Sequence, residues 1–235
     1  MRAIASLTVL IVLALSGGRA AALELVVAEA HGIRLAPGQT VDGAKPLSLA
    51  DGQSVTLLSS SGQIVRLEGP SDAAPESGLK HAESQDMQTA MTALITERNA
   101  RTSDIGIVRG DNDVKLPDPW VVDITHPGTS CVQPGKSVVL WRSQDMGATP
   151  VAFAPKDRSW TVSGTWPASA DRLALPATMP LRDHTDYVVE LGEKVAPVTV
   201  RLIPQSVNND AMRAGFMAAV GCGNQVSALL AAWQK

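Results

Sequence analysis

The stretch SVTLLSSSGQIVRL, residues 54–67, predicts two short strands joined by a tight turn, and it places this chain among β-rich proteins. Within Ser54–Leu58 and Gln63–Leu67 apolar and polar residues alternate, which is typical of strands with one face buried and the other in water. The polar run Ser59–Gly62 between them predicts a hairpin loop, because its glycine can adopt the positive φ that such loops require. The fold class expected from this stretch outward is mainly β.

The residues around this hairpin extend the pattern into a small β module over residues 23–70. Leu23–Val27 is rich in β-forming residues, and three turn pairs follow it, at Pro37-Gly38, Asp42-Gly43 and Asp51-Gly52. No aromatic residue occurs in residues 1–119, so the core of this module must consist of aliphatic side chains. A unit of this size has a thin core, and we expect it to pack against another part of the chain.

Three segments of this module resemble the FecR-type periplasmic domain: LAPGQ at 35–39, LSLADGQSVTL at 47–57 and GQIVRL at 62–67. They share its alternation of glycine turns, short strands and Asp-Gly turns. The resemblance implies a FecR-like β module in an envelope sensor or accessory protein, which binds another protein and is not a catalyst. It carries no site residue over to this chain. The regulators of that family also have a cytoplasmic tail and a membrane helix, and neither is expected here.

Residues 71–119 are expected to connect this module to the rest of the chain. A polar loop over residues 71–81 is predicted first. A linking α-helix follows, because the apolar side chains between Met87 and Ile95 lie on one stripe of a 3.6-residue period. A polar linker near Asp111–Pro119 ends this region.

All eight aromatic residues lie in residues 120–235, and residues 120–204 predict a second β unit. Short apolar runs separated by turn residues recur there at a spacing that suits an Ig-like β-sandwich. Along the last run Val198 and Val200 alternate with Thr199 and Arg201, which predicts that the arginine faces water. The predicted strands span residues 120–125, 129–133, 137–142, 150–154, 159–165, 171–175, 186–191 and 197–203.

Residues 205–235 predict a C-terminal helical hairpin. Asn208 or Asn209 is a favourable N-cap for the first helix, and Asn224 is a favourable N-cap for the second. The glycines at 221 and 223 separate the two helices, as helix-ending glycines do. Short amphipathic helices need a surface on which to bury their apolar stripes, so we expect this tail to pack on the preceding sheets.

Residues 1–22 have the layout of a secretory signal peptide. A positive start precedes an apolar run over Ile4–Leu15, and the small residues that follow suit cleavage after Ala22. The run is too short to cross a bilayer as a helix, so we expect export to the periplasm of a Gram-negative bacterium, with no membrane insertion after cleavage. Cys131 and Cys222 are then expected to form a disulfide, because thiols oxidise in that compartment.

The charge of the chain limits the classes of partner. The formal net charge is −3, and loss of Arg2 and Arg19 with the leader leaves 18 basic against 23 acidic residues. A mildly acidic chain without a basic cluster is not expected to bind nucleic acid. An envelope protein is the expected partner, and the sequence leaves the oligomeric state open.

Trp160 and Trp166 form the first candidate site, as a stacking platform for a sugar or a peptide. They are six residues apart, so on an unbroken strand their side chains would share a face. The alternative is that both belong to the core, because small sandwiches bury large aromatic side chains there.

The run DHTD at residues 183–186 is the second candidate site, because carboxylates lie on both sides of an imidazole. It could bind a metal or transfer protons if His126 joined it in space. The alternative is a solvated loop between strands. Asp111–Asp113 has the oxygen-rich composition of a calcium loop, but Lys115 and Leu116 occupy positions where that loop needs ligands and a glycine.

The sequence contains no nucleophile elbow, Walker loop or dinucleotide fingerprint. We therefore assign no catalytic residue, no metal and no cofactor. The leading hypothesis is an exported, non-enzymatic interaction or sensor accessory protein. The first alternative is a carbohydrate- or peptide-binding β-sandwich that uses Trp160 or Trp166. The second alternative is a metal-dependent hydrolase built around His126, His184 and their neighbouring carboxylates.

Overall fold

The computed structural model describes residues 23–82, 115–126, 128–143 and 147–233. The predicted signal peptide, the predicted helix between Met87 and Ile95 and the acidic run Asp111–Asp113 lie outside these residues. Within the described residues the chain is mainly β, with several sheets and few helices. This confirms the fold class that the sequence predicts.

The N-terminal part contains a four-stranded antiparallel sheet, and the predicted hairpin forms half of it. β4 (Ser54–Leu58) pairs with β5 (Ile64–Glu68), as predicted. Gly62 in the loop between them has a φ of 81°, a conformation that favours glycine. β1 (Glu24–His31) and β2 (Thr40–Asp42) complete the sheet in the order β2-β1-β4-β5.

A two-stranded sheet and a short helix accompany this sheet. β3 (Leu47–Leu49) pairs with β6 (Ser71–Ala73), and α1 (Glu76–Ala82) follows closely. The prediction of a polar loop over residues 71–81 is therefore wrong. The segment is structured because it pairs with a distant strand and because Leu79 is buried in the core of the first sheet. Neither interaction is local in the sequence.

The first sheet is buried on one face and covered in part on the other. One face packs into an aliphatic core that includes Leu25 and Leu57. The other face, with Val26 and Leu58, packs against α2 (Asp210–Val220) of the C-terminal tail. The prediction of a second face in water holds at Arg66, which is exposed, but it is wrong at Leu58, because a helix far along the sequence covers that end of the face. The thin N-terminal module thus packs against another part of the chain, as its size predicts.

Eight further strands form two sheets that share one apolar core. They are β7 (Val121–Asp123), β8 (Gly128–Val132), β9 (Val139–Trp141), β10 (Thr149–Pro155), β11 (Val162–Trp166), β12 (Arg172–Ala174), β13 (Thr185–Leu191) and β14 (Lys194–Leu202). The larger sheet has the order β11-β10-β13-β14-β8, and the smaller has the order β12-β9-β7. Each predicted strand of this region is present, with its ends displaced by no more than a few residues. Aliphatic side chains from both sheets surround Phe153, Trp166 and Tyr187 in the shared core.

Arg201 on β14 is buried, so the prediction that it faces water is wrong. Its guanidinium group lies 3.7 Å from a carboxylate oxygen of Glu29 on β1 and 3.3 Å from a carboxylate oxygen of Asp183. Val198 and Val200 are buried on the same strand, as predicted. This part of β14 has no solvated face because the N-terminal sheet and a neighbouring loop cover it.

The C-terminal tail forms two helices. Asn209 is the N-cap of α2, and its side chain accepts a hydrogen bond of 2.8 Å from the backbone N–H of Met212. α2 ends at Gly221, which has the left-handed conformation of a C-cap. α3 (Gly223–Trp233) begins one residue before Asn224, so the prediction of Asn224 as its N-cap is wrong. No helix in the described part of the chain is long and apolar enough to cross a bilayer.

The predicted disulfide between Cys131 and Cys222 joins β8 to the junction of the two tail helices. Gln225 on α3 adds a polar connection beside it. The side-chain oxygen of Gln225 accepts from the Cys131 N–H at 2.6 Å, and its NH₂ group donates to the carbonyl groups of Cys131 and Val121 at 3.0 and 3.2 Å. Because β7 and β8 are edge strands, one buried amide connects the edges of both sheets to the tail.

Candidate ligand-binding site

A cavity of about 290 Å³ opens at one end of the larger sheet. One wall is the loop between β10 and β11, residues 156–161, and the other is the segment that leads into β13, residues 180–184. We call this the Trp160 cavity. It is lined by Pro155, Lys156, Asp157, Ser159, Trp160, Pro180, Arg182, His184, Thr185, Asp186 and Tyr187.

Trp160 and Tyr187 are the aromatic residues of the cavity lining, and Phe153 packs against both of them from the core. The rings of Phe153 and Tyr187 stack, with centroids 5.1 Å apart, and both are fully buried. The ring of Trp160 lies 5.9 Å from each of them and is only partly buried. Contact with the core therefore restrains the indole ring, while the rest of its surface is available to the cavity.

Backbone hydrogen bonds hold both walls against the start of β13. The N–H of Lys156 donates to the carbonyl group of Asp186 at 2.9 Å. The N–H of Arg182 donates to the hydroxyl group of Tyr187 at 2.9 Å. The long side chains of Lys156 and Arg182 thus start from restrained positions at the rim.

Two residues at this end of the sheet adopt a conformation that is rare outside glycine. Arg158 has a φ of 55° and His184 a φ of 54°. They are the only non-glycine residues of positive φ among those that the structure describes. This conformation costs free energy and persists where the surroundings enforce it, which is common at binding and catalytic sites. The guanidinium group of Arg158 pairs with Glu190, whereas His184 lines the cavity.

The two carboxylates of the cavity already accept hydrogen bonds from the protein. The pKa of Asp157 lies below its usual value, because the backbone N–H and the hydroxyl group of Ser159 donate to its carboxylate and Arg182 lies nearby. Its hydrogen bond with the Ser159 N–H measures 3.0 Å. Asp186 accepts a hydrogen bond of 2.8 Å from the Thr199 hydroxyl group.

Asp183 anchors the second wall to the rest of the molecule. One of its carboxylate oxygens accepts from the Leu202 N–H at 2.8 Å and from the Arg201 guanidinium group at 3.3 Å. Arg201 also lies next to Glu29 of the first sheet. The chain that precedes His184 is therefore attached to β14 and, through Arg201, to the N-terminal sheet.

Trp166, the second half of the predicted stacking platform, lies in the core. Its ring is fully buried, its indole N–H donates to the Ala170 carbonyl group at 2.7 Å, and the Arg142 guanidinium group lies 4.9 Å from its centroid. The unbroken strand that the platform required is absent, because β11 begins at Val162, after Trp160. Of the two tryptophans, only Trp160 lines the cavity.

The residues of the predicted metal site lie in different environments. His126 forms a hydrogen bond of 2.9 Å with Asp123, away from the cavity lining. His184 and Asp186 line the cavity, and Asp183 binds Arg201. Among the described residues, no three His, Cys, Asp or Glu side chains lie where they could hold a metal ion.

Sequence reasoning does not identify the two basic residues of the cavity, Lys156 and Arg182. Lys156 lies in the run PKDRSW at 155–160, where an aspartate precedes a serine by two residues and a tryptophan follows. That arrangement is typical of a tight turn beside an aromatic side chain, and it is the one local indication of the site. Arg182 has no comparable context, since it joins the cavity only through the pairing of β10 with β13.

No protein family matches this sequence, and no curated protein matches it.

Proposed function

We propose that this chain is an exported, non-enzymatic binding protein of the bacterial envelope, and that the Trp160 cavity holds a sugar. The single observation that carries this proposal is a restrained, partly exposed indole ring in a cavity rimmed by hydrogen-bonding side chains. Sugars present apolar ring faces beside many hydroxyl groups, and this combination of surfaces suits both.

The size of the cavity limits the ligand. A volume of about 290 Å³ lies at the lower end of the range of small-molecule sites. It suits one sugar ring, with the remainder of a longer glycan in solvent. Binding of one ring should be weak, because about 0.3 kcal/mol for each of roughly 15 non-hydrogen atoms corresponds to a Kd of about 1 mM.

The state of the two carboxylates favours binding over catalysis. Asp157 and Asp186 each accept a hydrogen bond from the protein, which fixes the direction of their carboxylates. The lowered pKa of Asp157 makes this residue a poor proton donor near neutral pH. Fixed acceptors of this kind are suited to the hydroxyl groups of a ligand.

Export is part of the proposal, and the disulfide supports it. A bond between Cys131 and Cys222 persists in an oxidising compartment. The signal-peptide layout of residues 1–22 gives the same expectation from a different part of the chain.

We also propose that residues 23–70 form a FecR-like module and residues 120–204 an Ig-like sandwich. The glycine turns between short strands support the first, and two sheets around one core support the second. A FecR-like module implies contact with an envelope protein. In that case the N-terminal sheet would provide the contact and the sandwich would hold the sugar.

The experiment that tests the sugar site compares variants of Trp160 in a weak-binding assay. Saturation-transfer NMR of the mature protein with N-acetylglucosamine and its β1,4-linked dimer should show transfer to the ring protons. Trp160→Ala should abolish it, and Trp160→Phe should retain part of it, because phenylalanine keeps an aromatic face. Trp120→Phe is the matched control, since Trp120 packs with the tail helices, away from the cavity.

Saturation transfer that is unaffected by Trp160→Ala would contradict the site. Saturation transfer to a short peptide such as D-Ala-D-Ala, with none to any sugar, would show that the ligand of the cavity is a peptide and not a sugar. If neither class binds, the cavity has no role as a sugar site.

A further inference from the structure

We infer that the sugar bound by the Trp160 cavity is acidic, and that Lys156, Arg182 and His184 receive its carboxylate. This inference rests on the proposed function and adds the charge of the ligand to it. Among the described residues, the carboxylates of the cavity accept hydrogen bonds from the protein, whereas its basic side chains donate none.

The side-chain donors of the three basic residues make no hydrogen bond among the described residues, although Arg182 lies close enough to Asp157 to act on the charge of its carboxylate. In the part of the chain that the structure describes, no hydrogen bond or ion pair involves the side chains of Lys156, Arg182 and His184. Arg182 and Lys156 use only their backbone N–H groups, and all three side chains lie at the exposed rim. Two full positive charges and one imidazole are therefore available to a ligand.

The acceptors of the cavity are engaged. Asp157 accepts from the Ser159 N–H and Asp186 accepts from the Thr199 hydroxyl group. Each carboxylate therefore has fewer unused hydrogen-bond positions for a ligand than Lys156 or Arg182 has. A neutral sugar would leave Lys156 without an ion-pair partner among the described residues and Arg182 with only the nearby Asp157, whereas a sugar acid would supply a carboxylate to both.

The shape of the groups favours a carboxylate as that counter-charge. A planar guanidinium group can donate two parallel hydrogen bonds to a carboxylate, and such charge-assisted bonds are about twice as strong as neutral ones. Lys156 and Arg182 come from opposite walls of the cavity, so a carboxylate between them would be contacted from both sides. The sugar ring would then lie against Trp160, which shares the same lining.

Ligand pairs that differ only in the acid test this inference. N-acetylmuramic acid differs from N-acetylglucosamine by one lactyl ether, and glucuronic acid differs from glucose by one oxidised carbon. Calorimetry or NMR titration of the mature protein should give about tenfold tighter binding for the acid of each pair.

Variants at the rim separate charge from stacking. Lys156→Gln and Arg182→Gln should each reduce the preference for the acid towards unity, because each weakens binding of the acid much more than binding of the neutral sugar. Arg158→Gln is the matched control, because Arg158 lies in the same loop but pairs with Glu190 outside the cavity lining. It should keep the full preference for the acid.

The outcomes distinguish this inference from the proposed function. Equal affinity for acid and neutral sugar would overturn the inference and leave the sugar site in place. Absence of binding by every sugar would overturn both. Tighter binding of glucose 6-phosphate than of glucuronic acid would overturn the assignment of a carboxylate, and binding of acetate as tight as that of the sugar acids would overturn the role of the ring.

Discussion

Replacement of Gln225 by leucine should destabilise the protein by about 3 kcal/mol. The side chain of Gln225 is buried on α3 and forms three hydrogen bonds to the backbone of the two edge strands, β7 and β8. Leucine has a similar volume, so the substitution removes these bonds without opening a large cavity. Each bond contributes about 1 kcal/mol net, and the backbone groups left behind are shielded from water.

The contacts determine which groups lose their partners. The Cys131 N–H loses its acceptor, and the carbonyl groups of Cys131 and Val121 lose their donor. Gln225→Glu keeps the acceptor but places a negative charge against two carbonyl oxygens. We therefore expect a larger loss of stability for glutamate than for leucine near neutral pH, and a smaller difference in acid, where the carboxyl group is protonated.

Urea denaturation followed by tryptophan fluorescence measures this loss. With an m-value of about 2 kcal/mol per molar urea, the midpoint should fall by roughly 1.5 M for Gln225→Leu. Hydrogen exchange should show that the Cys131 amide loses much of its protection. Ser227→Ala is the matched control, because Ser227 is exposed on the same helix and should change the midpoint little.

A loss below about 0.5 kcal/mol for Gln225→Leu, with the Cys131 amide still protected, would refute the reasoning. It would mean that water replaces the amide at no cost. The edges of the two sheets would then be stable without the tail.

Three further predictions concern the contacts between distant parts of the chain. Loss of the disulfide in a Cys131→Ala, Cys222→Ala variant should reduce the free energy of unfolding by about 4–5 kcal/mol, because the bond spans 91 residues. A reductant should have no effect on this variant. An unchanged urea midpoint would contradict the prediction. Arg201→Met should cost about 2–4 kcal/mol, since it leaves two partly buried carboxylates without their cation; a Tm equal to that of the wild type would show that the carboxylates are hydrated instead. Gly62→Ala should be much more destabilising than Gly52→Ala, although both glycines have positive φ, because only at Gly62 would a Cβ collide with the backbone of α2; equal losses in thermal denaturation would mean that φ alone determines the cost.

Much of the secondary structure could be predicted from local patterns. The hairpin through Gly62 and the strands of residues 120–204 follow from alternation and turn residues, and these depend on near neighbours. The N-cap at Asn209 is equally local, since its side chain bonds to an N–H three residues away. The disulfide could be predicted because the chain has two cysteines and its first residues predict export, so each cysteine has one possible partner.

Several of the failed predictions share a physical cause, which is burial by a remote segment. Arg201 has the position of a solvated residue in an alternating strand, yet Glu29 and Asp183 enclose it. The same cause applies to the second face of β4, where α2 covers Leu58. A pattern with a period of two shows which residues share a face, and it carries no information on what lies opposite that face.

The candidate site shows the same division. Trp160 could be proposed as a site residue from the sequence. That Trp160 lines the cavity while Trp166 is buried in the core depends on where β11 begins and on how the sheets pack. Lys156 and Arg182 lie 26 residues apart and meet only because β10 and β13 pair with their ends in register.

By itself the sequence determined the mainly β composition, the turns, the helix boundaries near Asn209 and Gly221, and the two half-cystines. Each of these depends on backbone conformation or on bonding between neighbours and is expressed wherever the segment lies. The tertiary structure alone decided that the tail covers the N-terminal sheet, that Arg201 is buried and that a cavity with an indole ring and free cations forms at one end of the larger sheet. These features depend on contacts between segments far apart in the chain, and such contacts form only when the sheets and helices pack.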